Sequence, residues 1–244
     1  MQAAAIQTLC LRTGSCSLPH PDKLQTGGED AFFVSADQKA VGIADGVGGW
    51  RESGVDPGDY SRSLMRKACD FFDSQAADAR PEDSKAWERF VRDALSEAHA
   101  KTRMPGSSTA CLVALNAAEN YISAIHLGDS GFIVVRNGTT LFQTQPCQHF
   151  FDCPLQLGAY PEYVDATDYP SDALAITLNV MPGDTIVMAT DGLWDNCPVH
   201  EIVQMLPDSD DALDGAAEAI ATTAREHAGA RPPPATLQVD CKCC

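Results

Sequence analysis

The chain has 244 residues, which suits one domain with a substantial hydrophobic core. Apolar residues make up 44% and charged residues 21%, a composition typical of globular proteins that excludes a disordered chain. The 17 Lys and Arg residues against 34 Asp and Glu give a formal net charge of −17, which argues against nucleic acid and favours cationic partners. No apolar run approaches the roughly 20 residues of a membrane-spanning helix, so we expect no membrane span.

The N-terminal half combines short β-rich segments with two amphipathic patterns. Residues 31–37 and 39–44 are predicted to be strands joined by a tight polar turn. A helix is predicted to begin at Asp56-Pro57, because Asp caps helix N-termini and Pro suits the first helical position. Apolar spacing of 3.6 residues predicts a second helix from near Pro81.

The C-terminal half is dominated by strand patterns and ends in helical ones. Residues 145–171 show no clear period and are predicted to form a long surface excursion. Predicted strands cover 108–115, 121–127, 131–136, 139–144, 175–180 and 184–189, and predicted helices cover 198–206 and 209–227. Strands grouped around paired helices predict a single α+β domain with antiparallel sheets.

The ten cysteines and the first residues bear on the compartment. Several cysteines lie in apolar stretches, where Cys behaves as a small buried hydrophobe. We therefore expect a reduced intracellular compartment without a disulfide framework. Residues 1–11 show neither a secretory signal nor a transit peptide.

Acidic residues lie at the ends of the predicted strands. They occur as Glu29-Asp30, Asp45-Gly46, Asp129 and Asp191-Gly192. A carboxylate at the end of a buried strand is costly unless it is paired or binds a cation. Oxygen ligands of this kind suit Mg²⁺ or Mn²⁺. Two such ions about 4 Å apart can activate a water for in-line attack on phosphorus.

Each motif taken alone has a simpler explanation. Asp-Gly after a strand is typical of a turn, and solvated surface acids account for the net charge. Gly46–Gly49 does not complete a dinucleotide fingerprint, because position 51 is Arg. The order in which the motifs occur carries more information than any one of them.

Five motifs in order carry a family resemblance. They are Gly-Gly-Glu-Asp-Ala-Phe-Phe (27–33), Ala-Asp-Gly-Val-Gly-Gly-Trp (44–50), Gly-Ser-Ser-Thr-Ala (106–110), Leu-Gly-Asp-Ser-Gly-Phe (127–132) and Ala-Thr-Asp-Gly-Leu-Trp-Asp-Asn (189–196). Together they resemble the metal-dependent protein phosphatases of type 2C, also called PPM-type. Val47 and the following Val-Asp-Pro-Gly-Asp-Tyr-Ser resemble the organellar subgroup, and residues 18–23 resemble its plant and algal branch. The resemblance covers roughly residues 10–228.

The resemblance implies a fold and an activity. The expected fold is a four-layer α-β-β-α sandwich of two antiparallel sheets flanked by helices, formed by residues 1–244 as a single domain. The expected reaction is hydrolysis of phosphoserine or phosphothreonine in a phosphoprotein substrate, with two Mg²⁺ or Mn²⁺ ions and a third, weaker one. A mitochondrial or plastid location is implied, and we expect a monomer.

The resemblance also implies roles for individual residues. Asp45 should bridge both ions, and Asp191 should hold the second of them; these two are the expected catalytic residues. Further metal contacts are implied for the Gly46 carbonyl, for Glu29 through a water with Asp30 beside it, and for Asp129 at the third ion.

Three departures from the family pattern set limits to the interpretation. Val47 replaces a His proposed in many members as general acid, so His20 and His149 are alternative candidates. No Arg lies shortly before Glu29, and Lys23 is the nearest cation, so Lys23 is the predicted phosphate-binding residue. After about residue 228 the chain is expected to be truncated or divergent and to lack the last strand with its metal-binding Asp; the context of Asp240 does not match.

The third departure keeps a second function open. A protein with the same fold but impaired catalysis could act as a binding or regulatory protein. A different two-carboxylate metalloenzyme, such as a sugar phosphatase, is a more remote alternative, because no Asp-x-Asp nucleophile motif follows a predicted strand.

Overall fold

The computed structural model describes residues 9–75, 80–81, 83–159, 167–207 and 209–230. Two antiparallel sheets lie between two layers of helices. The larger sheet has the order β1-β2-β4-β5-β11, with β1 Asp30–Val34, β2 Ala40–Asp45, β4 Ala110–Asn116, β5 Tyr121–Leu127 and β11 Leu174–Asn179. The smaller sheet has the order β12-β6-β7, with β6 Gly131–Arg136, β7 Thr139–Gln143 and β12 Thr185–Ala189.

Two further pairs are very short. β3 (Ser107–Ser108) pairs with β10 (Leu157–Gly158), and β8 (Gln148–Phe150) pairs with β9 (Cys153–Pro154).

Five α-helices flank the sheets within the described residues. They are α1 Pro57–Ser74, α2 Ser84–Lys101, α3 Asp191–Trp194, α4 Val199–Gln204 and α5 Leu213–Ala230. The Asp56 carboxylate accepts a hydrogen bond from the Gly58 amide at 3.0 Å, so α1 begins as its capping residue predicted. Short 3₁₀ helices cover Pro21–Lys23, Gly48–Ser53 and Asp210–Ala212.

Alternation along the central strands produces the layers. In β4, Leu112 and Ala114 belong to the core against α1 and α2, whereas Cys111 and Val113 face the smaller sheet. In β6, alternate residues face the larger sheet or the core that contains α4 and α5. A strand buried on both faces reads as an almost continuous apolar run. The predicted four-layer sandwich is confirmed.

The region 145–171 was wrongly predicted to be a surface excursion throughout. It contributes β8, β9 and β10, and Leu157 is fully buried in the core beneath α1 and α2. Strands of two or three residues leave no periodicity in a sequence, and the pairing of β10 with β3 joins segments about fifty residues apart in the chain. The first strand is also shorter than predicted, because the Ser35 amide already donates to Ala40 O in the turn.

The C-terminal residues, the cysteines and the apolar character of the helices bear on the remaining expectations. The region of the expected missing strand, and Asp240 within it, falls in residues 231–244, outside the described part of the chain. No disulfide joins the cysteines of the described residues. Across those residues, no helix has both the length and the apolar character that a bilayer crossing requires.

Candidate metal centre and active site

Strand register places two of the predicted carboxylates opposite each other. β1 and β2 pair so that Asp30 faces Asp45 directly. The backbone of Asp45 is tied to the start of β4, since its amide donates to Thr109 Oγ1 at 3.1 Å and its carbonyl accepts from the Thr109 amide at 2.9 Å. The two carboxylates therefore occupy a fixed position at one end of the larger sheet.

The smaller sheet brings two more carboxylates to the same end. Gly131 pairs with Ala189, so Asp129 just before β6 and Asp191 just after β12 are neighbours in space. Thr190 hydrogen-bonds with Asp30, and Asp191 is in hydrogen-bonding reach of Asp45. The sandwich thus brings together the four aspartates predicted from the sequence: Asp30, Asp45, Asp129 and Asp191.

Burial, and after it the repulsion between neighbouring aspartates, disfavours the charged forms of these carboxylates. Burial, followed by the charges of Asp30 and Asp191, raises the pKa of Asp45 to about 9. Burial also raises the pKa of Asp30, against a hydrogen bond from Thr190. Burial and then Asp191 raise the pKa of Asp129 to about 6. Crowded, partly desolvated carboxylates of this kind favour a bound cation, and their hard oxygen donors fit Mg²⁺ or Mn²⁺.

Glu29 lies next to the cluster but is engaged by two basic residues. Its side chain is 5% exposed, and its two oxygens are ion-paired with Lys23 and with Arg51, whose Nε is 2.5 Å from Oε1. Its backbone carbonyl also accepts from the Gly46 amide and from Ser61 Oγ. The expected contact of Glu29 with a metal through water stays a prediction, and Lys23, the predicted phosphate-binding residue, is held beside the site.

Arg51 is the basic residue that the sequence interpretation missed. It lies in the 3₁₀ helix Gly48–Ser53, directly after the Asp45-Gly46 turn. The family pattern puts an arginine before the Glu-Asp motif, whereas this fold supplies one from the loop that follows β2. Its position six residues after Asp45 was the available signal.

Gly46 is confined by its neighbours. It forms an isolated bridge with Ser108, and a Cβ at this position would lie 2.4 Å from the carbonyl oxygen of Pro57. Only glycine lets the first turn of α1 pack this closely against the end of β2. The metal contact expected of the Gly46 carbonyl stays a prediction.

The two histidines named as alternative general acids contact other residues. His20 Nδ1 accepts from the Asp22 amide at 3.3 Å, and His149 Nε2 lies 3.1 Å from Asp168 Oδ2. Neither contact involves the four aspartates, and both histidines are exposed.

The raised pKa values predict an unusual pH dependence of stability in chelator. The folded state keeps protons on Asp45 and Asp129 that the unfolded chain releases above a pKa of 3.8, so rising pH favours unfolding. Between pH 6 and about 9, the metal-free wild type should lose more of its Tm than an Asp45→Asn variant does. Thermal denaturation in EDTA at several pH values measures the Tm of both proteins. An equal fall of Tm with pH in the two proteins would contradict the prediction.

Comparison with known proteins identifies the family. Residues 23–231 match the family described as protein phosphatase 2C. Probable protein phosphatase 2C 80 of Arabidopsis thaliana is 43% identical over 227 residues, which cover 92% of this chain and 51% of the relative. The chain therefore spans about half the length of that relative.

Two solved structures share the fold. The X-ray structure of the photosystem II phosphatase PBCP has a TM-score of 0.76 and 37% identity, covering 88% of this chain and 79% of that one. The catalytic domain of the serine threonine protein phosphatase PstP, described in complex with two manganese ions, has a TM-score of 0.57 at 16% identity. The PstP match covers 83% of this chain and 86% of that one. At 16% identity it shows a shared fold and nothing more. The match over residues 23–231 and the plant relative confirm the resemblance seen in the motifs, and the chain belongs to the protein phosphatase 2C family.

Proposed function

We propose that this chain is the catalytic part of a metal-dependent protein serine/threonine phosphatase. The observation that carries the proposal is the convergence of Asp30, Asp45 and Asp191 at one end of the sandwich, in a chain of this family. The four clustered aspartates supply the negative field that two Mg²⁺ or Mn²⁺ ions need.

The positions of the aspartates suggest which ion each would hold. Asp45 pairs with Asp30 and is close to Asp191, so Asp45 would contact both ions and Asp191 would hold the second. The Gly46 carbonyl would add a neutral oxygen, and Asp129 would hold a third ion. When bound, the ions supply Lewis acidity toward the phosphoryl oxygens and toward the attacking water. Val47 cannot donate a proton, so a water held by the ions or another group would have to protonate the leaving alkoxide.

Lys23 and Arg51 are proposed to bind the substrate phosphate. Buried Glu29 fixes both cations, and their side chains are still 33% and 37% exposed, so each keeps donors facing solvent. The Arg51 guanidinium offers the forked geometry that a phosphate monoester prefers, in place of the arginine that many family members carry before the Glu-Asp motif.

Arg51→Ala is expected to raise KM for a phosphothreonine peptide about tenfold with a smaller change in kcat, because a hydrogen bond to a charged group contributes roughly 1.5–3 kcal/mol. Steady-state kinetics give both constants. Arg89→Ala, at an exposed arginine of α2, is the matched control and should leave KM unchanged. An Arg51→Ala enzyme with wild-type KM would exclude this residue from phosphate binding.

The proposed activity is tested with the purified chain and a phosphothreonine peptide. We expect phosphate release in Mn²⁺, its loss in EDTA, and its return when Mn²⁺ is added in excess. Hydrolysis no faster than that of Asp45→Asn would contradict the proposal. The alternative of an impaired binding protein predicts no catalysis and no pair of Mn²⁺ sites by calorimetry.

A plastid location is proposed in preference to a mitochondrial one. It rests on the similarity to a protein described as a photosystem II phosphatase. Fractionation of the native cells, with antibodies raised against this chain, tests it. Signal confined to mitochondria would contradict the proposal.

A further inference from the structure

A second group of metal-binding side chains lies on the other helical layer. Cys197, Glu201 and His227 each offer one donor atom, and these atoms lie within 4.8 Å of one another. Cys197 lies three residues after the end of α3, Glu201 lies in α4 and His227 lies in α5. The three residues therefore connect three separate segments of the chain.

The orientation of His227 suits a metal ligand. Its Nδ1 is 2.9 Å from the carbonyl oxygen of Asn196, and a carbonyl can only accept, so Nδ1 carries the proton. The lone pair is then left on Nε2, which lies 3.9 Å from Glu201 Oε2. A backbone carbonyl that holds the far ring nitrogen is the usual support of a histidine ligand.

The backbone of the other two residues is held by hydrogen bonds. The Cys197 amide donates to Leu193 O at 2.8 Å, and the Glu201 amide donates to Pro198 O at 2.9 Å. The Cys197 side chain is almost fully buried, whereas the side chains of His227 and Glu201 are 40% and 37% exposed. The group is therefore closed on the core side and open to solvent on the other.

The donor set selects a different class of metal from the aspartate cluster. Sulfur, imidazole nitrogen and one carboxylate oxygen are the ligands of zinc, whereas Mg²⁺ and Mn²⁺ prefer oxygen alone. We propose that Cys197, Glu201 and His227 bind a zinc-class divalent cation at a site separate from the phosphatase centre. Three protein ligands leave the fourth tetrahedral position to water or to an added ligand.

The site would act on the element that begins with Asp191. Cys197 lies six residues after Asp191, and α3 between them is anchored to β12 by Trp194 Nε1, which donates to Ala189 O at 2.7 Å. An ion shared with α4 and α5 would therefore brace the segment that presents Asp191. This inference does not depend on the proposed catalysis.

Cobalt(II) is the probe for this site, because a cobalt–thiolate bond gives a charge-transfer absorption that oxygen ligands do not produce. The background is the full chain with Cys241→Ser, Cys243→Ser and Cys244→Ser, which removes the other clustered thiols. We expect one equivalent of Co²⁺ to produce the band, Zn²⁺ to abolish it, and Cys197→Ser to lack it. Cys69→Ser is the matched control and should keep the band. Cys69 Sγ lies 3.4 Å from a carboxylate oxygen of Asp73, a contact that includes no histidine.

The half-exposed His227 provides a variant that leaves the core intact. His227→Gln should weaken Co²⁺ binding while its circular dichroism stays that of the parent, so a folding defect in Cys197→Ser would not obscure the result. Absence of the band in the parent, its survival in Cys197→Ser, or unchanged affinity in His227→Gln would each overturn the proposal. None of these readouts requires phosphatase activity.

Discussion

Asp45→Asn is expected to lower kcat/KM for a phosphothreonine peptide by about 10³-fold, because metal stabilisation of a phosphoryl transition state is worth several kcal/mol and each 1.36 kcal/mol is tenfold in rate. The amide is close in size to the carboxylate but cannot carry the charge that bridges two cations. Peptide kinetics in saturating Mn²⁺ measure the loss.

The same substitution should stabilise the metal-free protein. Asp45 is crowded by Asp30 and Asp191, which together with burial raise its pKa to about 9, and an amide at this position avoids the free-energy cost of ionising or protonating a carboxyl there at neutral pH. Urea unfolding in EDTA should therefore show Asp45→Asn above the wild type. A variant that is both less active and less stable would point to misfolding, and an active variant would remove Asp45 from the mechanism.

Gly46→Ala is expected to impair both folding and catalysis. The new methyl group would meet the Pro57 carbonyl at 2.4 Å, so β2 and α1 must separate. Overpacking of this kind costs roughly 1–3 kcal/mol, and a displacement near 1 Å at a catalytic group can lower the rate about 10²-fold. Urea unfolding and peptide kinetics measure the two effects.

Gly49→Ala is the matched control for this substitution. It lies three residues further on in the same loop, and a Cβ there has no neighbouring atom within 4 Å. Its free energy of unfolding should stay within about 0.5 kcal/mol of the wild type, as is usual for surface substitutions. Its kcat/KM should stay within a factor of about two. Equal effects of the two alanines would show that the loop tolerates no methyl group for reasons other than the Pro57 contact.

Prediction from the sequence was most successful where a local pattern reflects a local cause. The capping Asp56 with Pro57 marked the start of α1, and apolar, β-rich runs bounded by turns marked the strands of both sheets. The segment from Leu155 to Ala159 was missed, because burial of Leu157 depends on pairing with Ser108, which is remote in the chain. Short strands of that kind have no periodicity of their own.

The candidate site shows the same division. The ordered motifs selected Asp30, Asp45, Asp129 and Asp191, and the register of β1 with β2 and of β6 with β12 brought them together. The motifs did not reveal that Glu29 is paired with Lys23 and Arg51, since an ion pair between residues 22 positions apart depends on how a loop folds back. The Cys197, Glu201 and His227 group was missed for the same reason, because its members come from three separate segments: the loop after α3, α4 and α5.

The sequence by itself determined the family resemblance, with the layered fold that it implies, and the four aspartates, because these follow from the order of short motifs along the chain. Its net charge of −17 agreed with a cation-dependent protein but located no site. Only the tertiary structure decided the surroundings of each charge: two basic side chains pair with Glu29, whereas burial and neighbouring aspartates raise the pKa of Asp45. Coulomb interactions depend on distance and desolvation, and the strands and loops set both only after they have packed.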